Sequence, residues 1–517
     1  NFDSDGRLTS IIDLYGNPIT LSYSGNTVTV SDSVSGQSLL LTYEGERLVS
    51  AQDKGGRTCS FGYEGEYLTS YTDVSGVVTR YAYDLDGRLI QIIHSDGTIA
   101  LTNTYDDKDR ILTQDDADPN TPITTFAYEK TDSGNTKVTM TDSNGGVSTA
   151  TMNYYGDVIR ETNTKGAATV YQYDLSGRLI CETSSDGSFV SYTYDKNGFK
   201  NSMTDECGNT TRIIYNDNGN ILQVIAPNGI TTNYTYSENN LLLSYVDSVG
   251  LKTTYTYDQY GELISSCVEG RGTCSYTYKD GNLTSESDYK GNLNFYTYDV
   301  IGNRISSTDR EGNTTSYSYD LGRHVTGTTN ALGVGTSCVY DDEGNVIKAT
   351  DANGNQTRFK YEDGLLAKTI RADGTALQHD YDAVGNEIQS VKSDGLTVSG
   401  VYDAAGNCLQ TIAAGQLQET NAYDTESRLV SSTDANGNTT SYSYYPNGSP
   451  YQVSGPDGSS LLYTYNSLWE LISVTDALGR TVSYEYDSSG RMICERNALG
   501  EEQKYTYDIY GNVVTVT

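Results

Sequence analysis

The octapeptide YDLSGRLI runs from Tyr173 to Ile180, and YDLDGRLI runs from Tyr83 to Ile90. Each copy places an Asp three residues before a Gly. The Asp side chain can accept hydrogen bonds from nearby backbone N–H groups, and Gly accepts a positive φ without a Cβ penalty, so the pattern predicts a turn. The octapeptide is therefore either a duplicated active site or a structural unit that the chain uses many times.

Recurrence decides between these alternatives. From Tyr173 to Tyr507, marker tyrosines that precede such turns recur every 21 residues, apart from two steps of 20. Earlier markers are less evenly spaced: Phe2, Tyr23, Tyr43, Tyr63, Tyr83, Tyr105, Tyr128 and Tyr154. We predict a single repeat array over 1–517, which is less regular over 1–172 and regular over 173–517. A loop insertion is expected within 101–170, around Asp118, Pro119 and Pro122.

Each repeat is predicted to be a β-hairpin. A second turn signal, such as TDANGN from Thr350, follows the first by about ten residues, and doublets such as Tyr317 and Tyr319 alternate with strand period. The fold class is therefore all-β, with about fifty strands in tandem hairpin repeats of ~21 residues. Open sheets rarely exceed about ten strands without curling, so we expect a long coiled antiparallel sheet, either a spiral strip or a hollow shell.

The composition fits wide sheets better than a thick core. Only 36% of the 517 residues are hydrophobic, yet 46 are Tyr, a strand-favouring residue with an apolar ring and a polar tip. Stacked hairpins should place each Tyr doublet beside the doublet of the next repeat, forming an aromatic ladder.

The net charge of −34 excludes the basic footprint that nucleic acid binding needs. The chain has no apolar run of 18 residues, so this segment is not expected to insert into a membrane. It also has no signal peptide and begins with Asn1, so we interpret it as an excerpt of a longer protein.

The YDxxGRL and YDxxGN elements at ~21-residue spacing resemble the YD-repeat, or rearrangement-hotspot (RHS), family. That family includes bacterial polymorphic toxins, shell subunits of insecticidal toxin complexes, wall-associated proteins and teneurins. The resemblance covers nearly the whole chain and implies a spiralling sheet around a cavity, which in toxin members holds a C-terminal toxic polypeptide. The chain departs from the family at the DPxG-type motif. Its one Asp-Pro, at Asp118 and Pro119, is in the wrong half, so neither a self-cleaving segment nor a payload is recognisable.

The predicted repeat residues are marker Tyr, turn Asp, turn Gly and, in three repeats, a following Arg. They are Tyr83, Asp84, Gly87, Arg88, Tyr173, Asp174, Gly177, Arg178, Tyr257, Asp258, Gly261, Tyr298, Asp299, Gly302, Tyr486, Asp487, Gly490 and Arg491. A catalytic carboxylate belongs to a unique constellation, whereas this Asp recurs at one turn position, so its role is structural. HExxH, GxSxG and P-loop motifs are absent, so we predict neither an enzyme nor a cofactor.

The segments DANGN at Asp351 and Asp434 are similar to part of a calcium-binding loop. An EF-hand loop needs ligands at alternating positions and a bidentate Glu at position twelve, and no such Glu is systematically present. Turn chemistry accounts for the Asp and Gly residues, so we predict no metal site.

Three further residues depart from the repeat pattern or could form a special contact. Trp469 is the only Trp and stands where the repeat expects Gly. It packs over a neighbouring loop or forms an exposed contact for a glycan or partner. Cys267 and Cys274 flank the turn VEGRG of one predicted hairpin, where opposite side chains can approach disulfide distance. They form a disulfide or act as small hydrophobes.

Two functions follow from the resemblance. The first is a non-enzymatic shell segment of a large secreted or cell-surface bacterial protein, which encloses or presents a C-terminal payload outside this chain. Its partners would be the caps, core and payload of the same parent. The alternative is an extracellular adhesion rod that binds glycans or surface proteins through outer loops such as 115–123.

Overall fold

The computed structural model describes residues 1–115, 123–508 and 510–517. These residues form 49 β-strands and no α-helix, and the strands lie in one open antiparallel sheet, which confirms the all-β prediction. In this part of the chain there is no helix long and apolar enough to cross a membrane.

The strands before residue 255 are short and evenly spaced. They are β1 Ser10–Ile12, β2 Pro18–Ser24, β3 Thr27–Asp32, β4 Ser38–Glu44, β5 Arg47–Asp53, β6 Thr58–Glu64, β7 Tyr67–Thr72, β8 Val78–Tyr83, β9 Leu89–Ile93, β10 Ile99–Tyr105, β11 Ile111–Asp115, β12 Thr124–Lys130, β13 Thr136–Thr141, β14 Val147–Met152, β15 Val158–Thr162, β16 Ala168–Tyr173, β17 Leu179–Thr183, β18 Phe189–Tyr194, β19 Lys200–Thr204, β20 Thr210–Tyr215, β21 Ile221–Ile225, β22 Thr231–Tyr236, β23 Leu242–Val246 and β24 Lys252–Tyr257.

The remaining strands continue the same pattern. They are β25 Leu263–Val268, β26 Gly272–Lys279, β27 Asn282–Ser287, β28 Leu293–Tyr298, β29 Arg304–Thr308, β30 Thr314–Tyr319, β31 Val325–Thr329, β32 Gly335–Tyr340, β33 Val346–Thr350, β34 Gln356–Glu362, β35 Leu365–Ile370, β36 Ala376–Tyr381, β37 Glu387–Lys392, β38 Thr397–Tyr402, β39 Cys408–Ala413, β40 Gln416–Tyr423, β41 Leu429–Asp434, β42 Thr439–Tyr444, β43 Pro450–Ser454, β44 Ser460–Tyr465, β45 Leu471–Asp476, β46 Thr481–Tyr486, β47 Met492–Arg496, β48 Glu502–Tyr507 and β49 Val513–Val516.

Consecutive strands pair in a recurring register. β16 pairs with β17, β17 with β18, and β18 with β19, all antiparallel. The register shifts at the marker, between Gln172 and Tyr173 and again between Thr193 and Tyr194. Such a bulge bends the strand and re-aims one side chain, so a marker Tyr at such a shift is turned out of the regular alternation at the end of its strand.

This register corrects one predicted marker. Met152, not Tyr154, faces Val158 across the same register shift that Tyr173 shows. Tyr154 follows in the turn and is 92% exposed. The repeat pattern of this region is thus kept by Met152, although a Tyr stands two residues later. Asp118, Pro119 and Pro122 lie outside the described residues, and the single array stays a prediction.

Side chains along the strands are mostly half-buried. Ala167, Ala367 and Cys494 are the buried hydrophobic residues in the described part of the chain, and no large side chain there is fully buried. A sheet with so little enclosed apolar volume needs hydrogen bonds and ring contacts at its edges, which is where the Tyr-rich repeat supplies them.

The chain falls into two compact units, each built from two separate stretches. Unit 1 comprises 1–123 with 255–379, and unit 2 comprises 124–254 with 380–517. Contacts between residues far apart in sequence are therefore described within each unit.

Candidate functional site at the turn edges

The YD turn, in which an Asp directly follows the marker residue, is closed by the side chain of that Asp. In the turn 174–178, Oδ1 of Asp174 accepts hydrogen bonds from the backbone N–H of Ser176 at 2.8 Å and of Arg178 at 3.0 Å. Gly177 N also donates to Asp174 O at 3.0 Å. Gly177 has a φ of +77°, where a side chain would be strained. The side-chain hydrogen bond from Arg178, and then its backbone N–H, lower the pKa of Asp174.

The other predicted repeat turns have the same geometry. Their carboxylates accept backbone N–H groups two and four residues later at 2.8–3.1 Å, and these are Asp84, Asp258, Asp299 and Asp487. Their turn glycines have φ between +75° and +86°, and these are Gly87, Gly261, Gly302 and Gly490.

The TD turn, the second turn of each repeat, uses the same chemistry. Oδ1 of Asp205 accepts from Cys207 N at 3.0 Å and Asn209 N at 2.7 Å. In the turn from Asp351, Oδ1 likewise accepts from the N–H groups two and four residues later. Among the described residues, no three His, Cys, Asp or Glu residues are grouped so that they could hold a metal ion.

The marker hydroxyl reaches back fifteen residues to the strand that leaves the preceding YD turn. Tyr173 Oη donates to Val158 O at 2.8 Å. Burial raises the pKa of Tyr173, so the hydroxyl remains a donor at neutral pH. The same bond is made by Tyr23, Tyr63, Tyr83, Tyr194, Tyr215, Tyr298, Tyr319, Tyr340, Tyr402, Tyr423, Tyr444, Tyr486 and Tyr507.

The residue after the turn Gly covers the next marker ring. Arg178 Nε donates to Asp174 Oδ2 at 2.7 Å, and its Cζ lies 4.7 Å from the centre of the Tyr194 ring. The two other predicted arginines repeat this arrangement, Arg88 over Tyr105 at 5.2 Å and Arg491 over Tyr507 at 4.9 Å. A guanidinium over a Tyr face is an attractive cation–π contact.

Aromatic residues replace Arg in other repeats. Phe199 contacts Tyr215 with ring centres 5.3 Å apart, and His324 stacks on Tyr340 at 4.8 Å. The recurring neighbour of a marker ring is thus the residue after the preceding turn Gly, which corrects the predicted ladder of successive doublets. Successive marker strands are separated by an intervening strand, so their rings start roughly 9–10 Å apart.

In unit 1, TD turns of 1–123 contact YD turns of 255–379. Three TD-turn side chains donate to YD-turn carbonyls at 3.0 Å: Asn17 to Tyr260, Gln37 to Val300 and Arg57 to Leu321. The contacts are close enough to require small residues. A Cβ on Gly261 would lie 3.1 Å from the ring of Tyr15, and a Cβ on Gly55 would overlap Ile301.

In unit 2, TD turns of 124–254 contact YD turns of 380–517, so here too the TD turn belongs to the earlier stretch and the YD turn to the later one. Lys165 Nζ lies 3.3 Å from Asp403 Oδ2 and 5.7 Å from the centre of the Tyr423 ring. Two further donors reach the first YD-turn residue after Asp, Ser143 to Ala383 O and Asn163 to Thr425 O, both at 3.2 Å.

Trp469 lies in one of these contacts. It occupies the turn Gly position with a φ of +62°, a strained conformation for Trp. Its Nε1 donates to Asp205 Oδ2 at 3.1 Å, and its ring packs near Tyr445 and Tyr465 at 5.6 and 5.8 Å. Of the two alternatives for this residue, the structure has the one in which it packs over a neighbouring turn.

Cys267 and Cys274 are both free thiols in this structure, so of the two alternatives for this pair the structure has the one without a disulfide. Cys267 pairs with Thr273, and Cys274 pairs with Ser266. The two cysteines are therefore offset by one residue across the hairpin, and neighbouring strand positions point to opposite faces of a sheet.

Two features of the site were not apparent from the sequence. Contacts between turn edges join residues 238–264 positions apart, a distance that the 21-residue period does not encode. The contact between Arg and the marker Tyr could have been predicted from the sequence. In each of the three repeats, the Arg after the turn Gly precedes a marker Tyr by 16 or 17 residues.

Sequence comparison identifies five stretches that match the RHS Repeat family, at 64–99, 215–248, 298–334, 340–376 and 470–502. No curated protein matches the chain significantly.

Solved structures share the fold at low identity. The crystal structure of TcdB2-TccC3 has a TM-score of 0.64 at 14% identity and covers 97% of this chain and 33% of its own. The structure of TcdB2-TccC3-Cdc42 has a TM-score of 0.63 at 13% identity, and the match covers 97% of this chain and 35% of that one. The structure of TcdB2-TccC3 without its hypervariable C-terminal region has a TM-score of 0.57 at 13% identity, with the same two coverages.

This chain spans about a third of the length of these solved chains. The in-phase YD turns, the five matched stretches and the shared fold lead to one assignment. The five matched stretches are RHS repeats, and the whole chain resembles the RHS repeat family in its turn pattern.

Proposed function

We propose that this chain is a wall segment of a larger secreted or cell-surface bacterial protein. In this proposal the wall encloses or presents a C-terminal polypeptide that lies outside the chain. The proposal rests on two sets of contacts that hold the sheet together. Marker tyrosines join each repeat to the next, and TD turns contact YD turns within each unit. In the proposed wall, these two sets of contacts would keep neighbouring parts of the sheet together.

The relatives support the payload part of the proposal. One solved protein with a similar fold is described as TcdB2-TccC3 without its hypervariable C-terminal region. The net charge of −34 would favour a basic polypeptide inside the wall.

Protease protection in the full-length parent tests this function. The C-terminal polypeptide should be cut slowly in the intact parent and quickly when expressed alone. Lys165→Glu replaces the ion pair with Asp403 by a repulsion and should increase cleavage in the parent. Arg480→Glu should not, because Arg480 is 66% exposed and pairs with Asp476 in its own turn. Equal cleavage of the enclosed and isolated polypeptide would refute the enclosure. If charge holds the polypeptide, high salt should speed its cleavage, and a salt-indifferent rate would refute that part.

An adhesion role has one observation in its favour. Tyr154 and Tyr155 are 92% and 85% exposed, with ring centres 5.5 Å apart, and exposed rings are suited to glycan contacts. Glycan-array binding that Tyr154→Ala and Tyr155→Ala abolish would support this alternative, and an array without binders would count against it.

A further inference from the structure

His324 occupies a position that carries Arg in other YD turns. It is the fourth residue after Asp320, just as Arg178 is the fourth residue after Asp174. Its Nδ1 lies 3.0 Å from Asp320 Oδ2, and its ring stacks on the marker ring of Tyr340 with centres 4.8 Å apart. Arg178 makes the two equivalent contacts. In this one turn, a titratable side chain therefore takes the place of a permanently charged one.

The nitrogen of His324 that titrates faces a second acidic turn. A carboxylate only accepts hydrogen bonds, so Nδ1 donates to Asp320 and Nε2 is the nitrogen that gains a proton. A Cβ on Gly344 would lie 3.1 Å from Nε2, which places this nitrogen against the YD turn 341–345. That turn has the sequence DDEGN, with three carboxylates. Protonation of Nε2 therefore places a charge and an N–H donor beside an acidic turn.

Neighbouring turns of unit 1 add further charged groups around this ring. Arg57 of one TD turn donates to Leu321 O, and Ser95 of another donates to Asp342 Oδ2 at 3.1 Å. A third TD turn, 73–77, lines a cavity together with His324. The acidic groups of these turns and of the YD turns beside the ring are Asp53, Asp73, Asp96, Asp299, Asp320, Asp341, Asp342 and Glu343. The basic and titratable groups are Lys54, Arg57, Arg323 and His94. Carboxylates outnumber cations here, so a charge on the ring meets attraction.

The carboxylate that holds the ring stays ionised over the range in which histidine titrates. Burial raises the pKa of Asp320, but hydrogen bonds from the backbone and side chain of His324 outweigh it and leave that pKa below its ordinary value. Aspartate ordinarily titrates near pH 4, whereas histidine changes charge between about pH 5 and 8. The attraction between the ring and Asp320 is therefore present at pH 5 and is lost as the pH rises to 8.

We propose that His324 makes the contact between the YD turns 320–324 and 341–345 pH-responsive, so that it tightens below about pH 6. The protonated ring acts as Arg178 does, with an ion pair to its turn Asp and a cation–π contact to the next marker ring. The neutral ring acts as Phe199 does, with a ring contact alone.

This contact supports a bond between repeats. The hydroxyl of Tyr340, whose ring lies under His324, donates to Val325 O at 2.8 Å and so fastens one repeat to the next. Mild acid therefore strengthens this edge of unit 1, at a pH where the turn carboxylates are still ionised. The effect goes beyond the proposed enclosure and does not depend on it.

Two variants that copy other repeats test the proposal on the whole chain. His324→Arg carries the charge at every pH, and His324→Phe never carries it. Both residues occupy this position in other turns, as Arg178 and Phe199, so both variants should fold. Hydrogen exchange of peptides covering 320–345 is compared among the three proteins at the same pH and ionic strength, which cancels the intrinsic effect of pH on exchange.

The wild type should change from one variant's behaviour to the other's. At pH 5.5 it should exchange as slowly as His324→Arg and about threefold more slowly than His324→Phe, as expected for one exposed cation–π contact. At pH 8.0 it should exchange like His324→Phe. A wild type that matches the same variant at both pH values, or two variants that exchange alike, would overturn the proposal.

The control concerns the other histidine near this edge. His94→Asn removes the titratable group of the turn 94–98 and keeps a residue that closes such a turn, as Asn163 does. This variant should retain the full difference between pH 5.5 and pH 8.0. Loss of that difference would assign the response to His94 and overturn the role of His324.

Discussion

The hydroxyl of Tyr194 donates a hydrogen bond to the backbone carbonyl of Leu179 across 2.6 Å. Leu179 is the first residue after the YD turn 174–178, and Tyr194 is the marker of the next repeat. The bond therefore fastens one repeat to the next at the edge of the sheet, where strand pairing ends.

Removing this hydroxyl should loosen the preceding turn. Tyr194→Phe leaves the ring but removes the donor to a half-buried carbonyl, which typically costs about 1 kcal/mol. Hydrogen exchange at Gly177 and Leu179 should accelerate. Tyr260→Phe is the control, since that residue contributes its backbone carbonyl to an edge contact. Equal exchange in both variants would contradict the fastening role.

Two arginines in equivalent sequence contexts should differ in importance. Arg491 stacks over Tyr507, while the side chain of Arg480 pairs with Asp476 and is 66% exposed. Arg491→Met should lower the urea midpoint measurably, because it removes both the ion pair and the cation–π contact. Arg480→Met should shift the midpoint less. The reverse order would show that the stack contributes nothing.

Trp469 should report on the contact with Asp205. Asp205→Asn can keep the turn closed, as Asn163 does in its own turn, but loses the carboxylate that accepts from Trp469 Nε1. We expect red-shifted emission and stronger acrylamide quenching. The control is Asp247→Asn in an equivalent TD turn. Unchanged quenching in Asp205→Asn would mean that this hydrogen bond does not hold the ring.

Acid should destabilise the protein through its turn carboxylates. Burial raises the pKa of Asp403, but hydrogen bonds from Asn407 outweigh it and leave that pKa below its ordinary value. The side-chain hydrogen bond from Arg110 leads the causes that lower the pKa of Asp106 to about 2. Groups with a lowered folded pKa stabilise above their unfolded pKa of about 4, and this contribution is lost as pH falls toward 2.

The thermal midpoint measured from pH 6 to pH 2 at constant ionic strength checks this sign. It should fall below pH 4, and Asp106→Asn should flatten the fall slightly. The control Asp86→Asn, at a side chain that is 73% exposed, should change the thermal midpoint less than Asp106→Asn does. A midpoint that rises steadily to pH 2 would show that relief of acidic repulsion outweighs the loss of the turn hydrogen bonds.

The turn hydrogen bonds of this chain can be predicted from the sequence because the same residues recur in repeat after repeat. Asp174 and Gly177 predict their turn, since one carboxylate and one positive φ close it without distant partners. Tyr173 and its successors predict the period and the strand direction. Features that depend on strand register were not predictable in this way: the marker position of the irregular region is Met152 and not Tyr154, and the choice between the two alternatives for Cys267 and Cys274 depends on their one-residue offset.

The sequence by itself determined the hairpin unit, its period, the all-β class and the resemblance to RHS repeats, because each depends on residues within about 21 positions. Only the tertiary structure decided what each hairpin touches. The bond from Tyr194 to Leu179, the stack of Arg178 on Tyr194 and the contact of Trp469 with Asp205 depend on strand register and on turns up to 264 residues apart. No local pattern specifies these pairs. The turns resemble one another in sequence, and only the folded chain determines which turn contacts which.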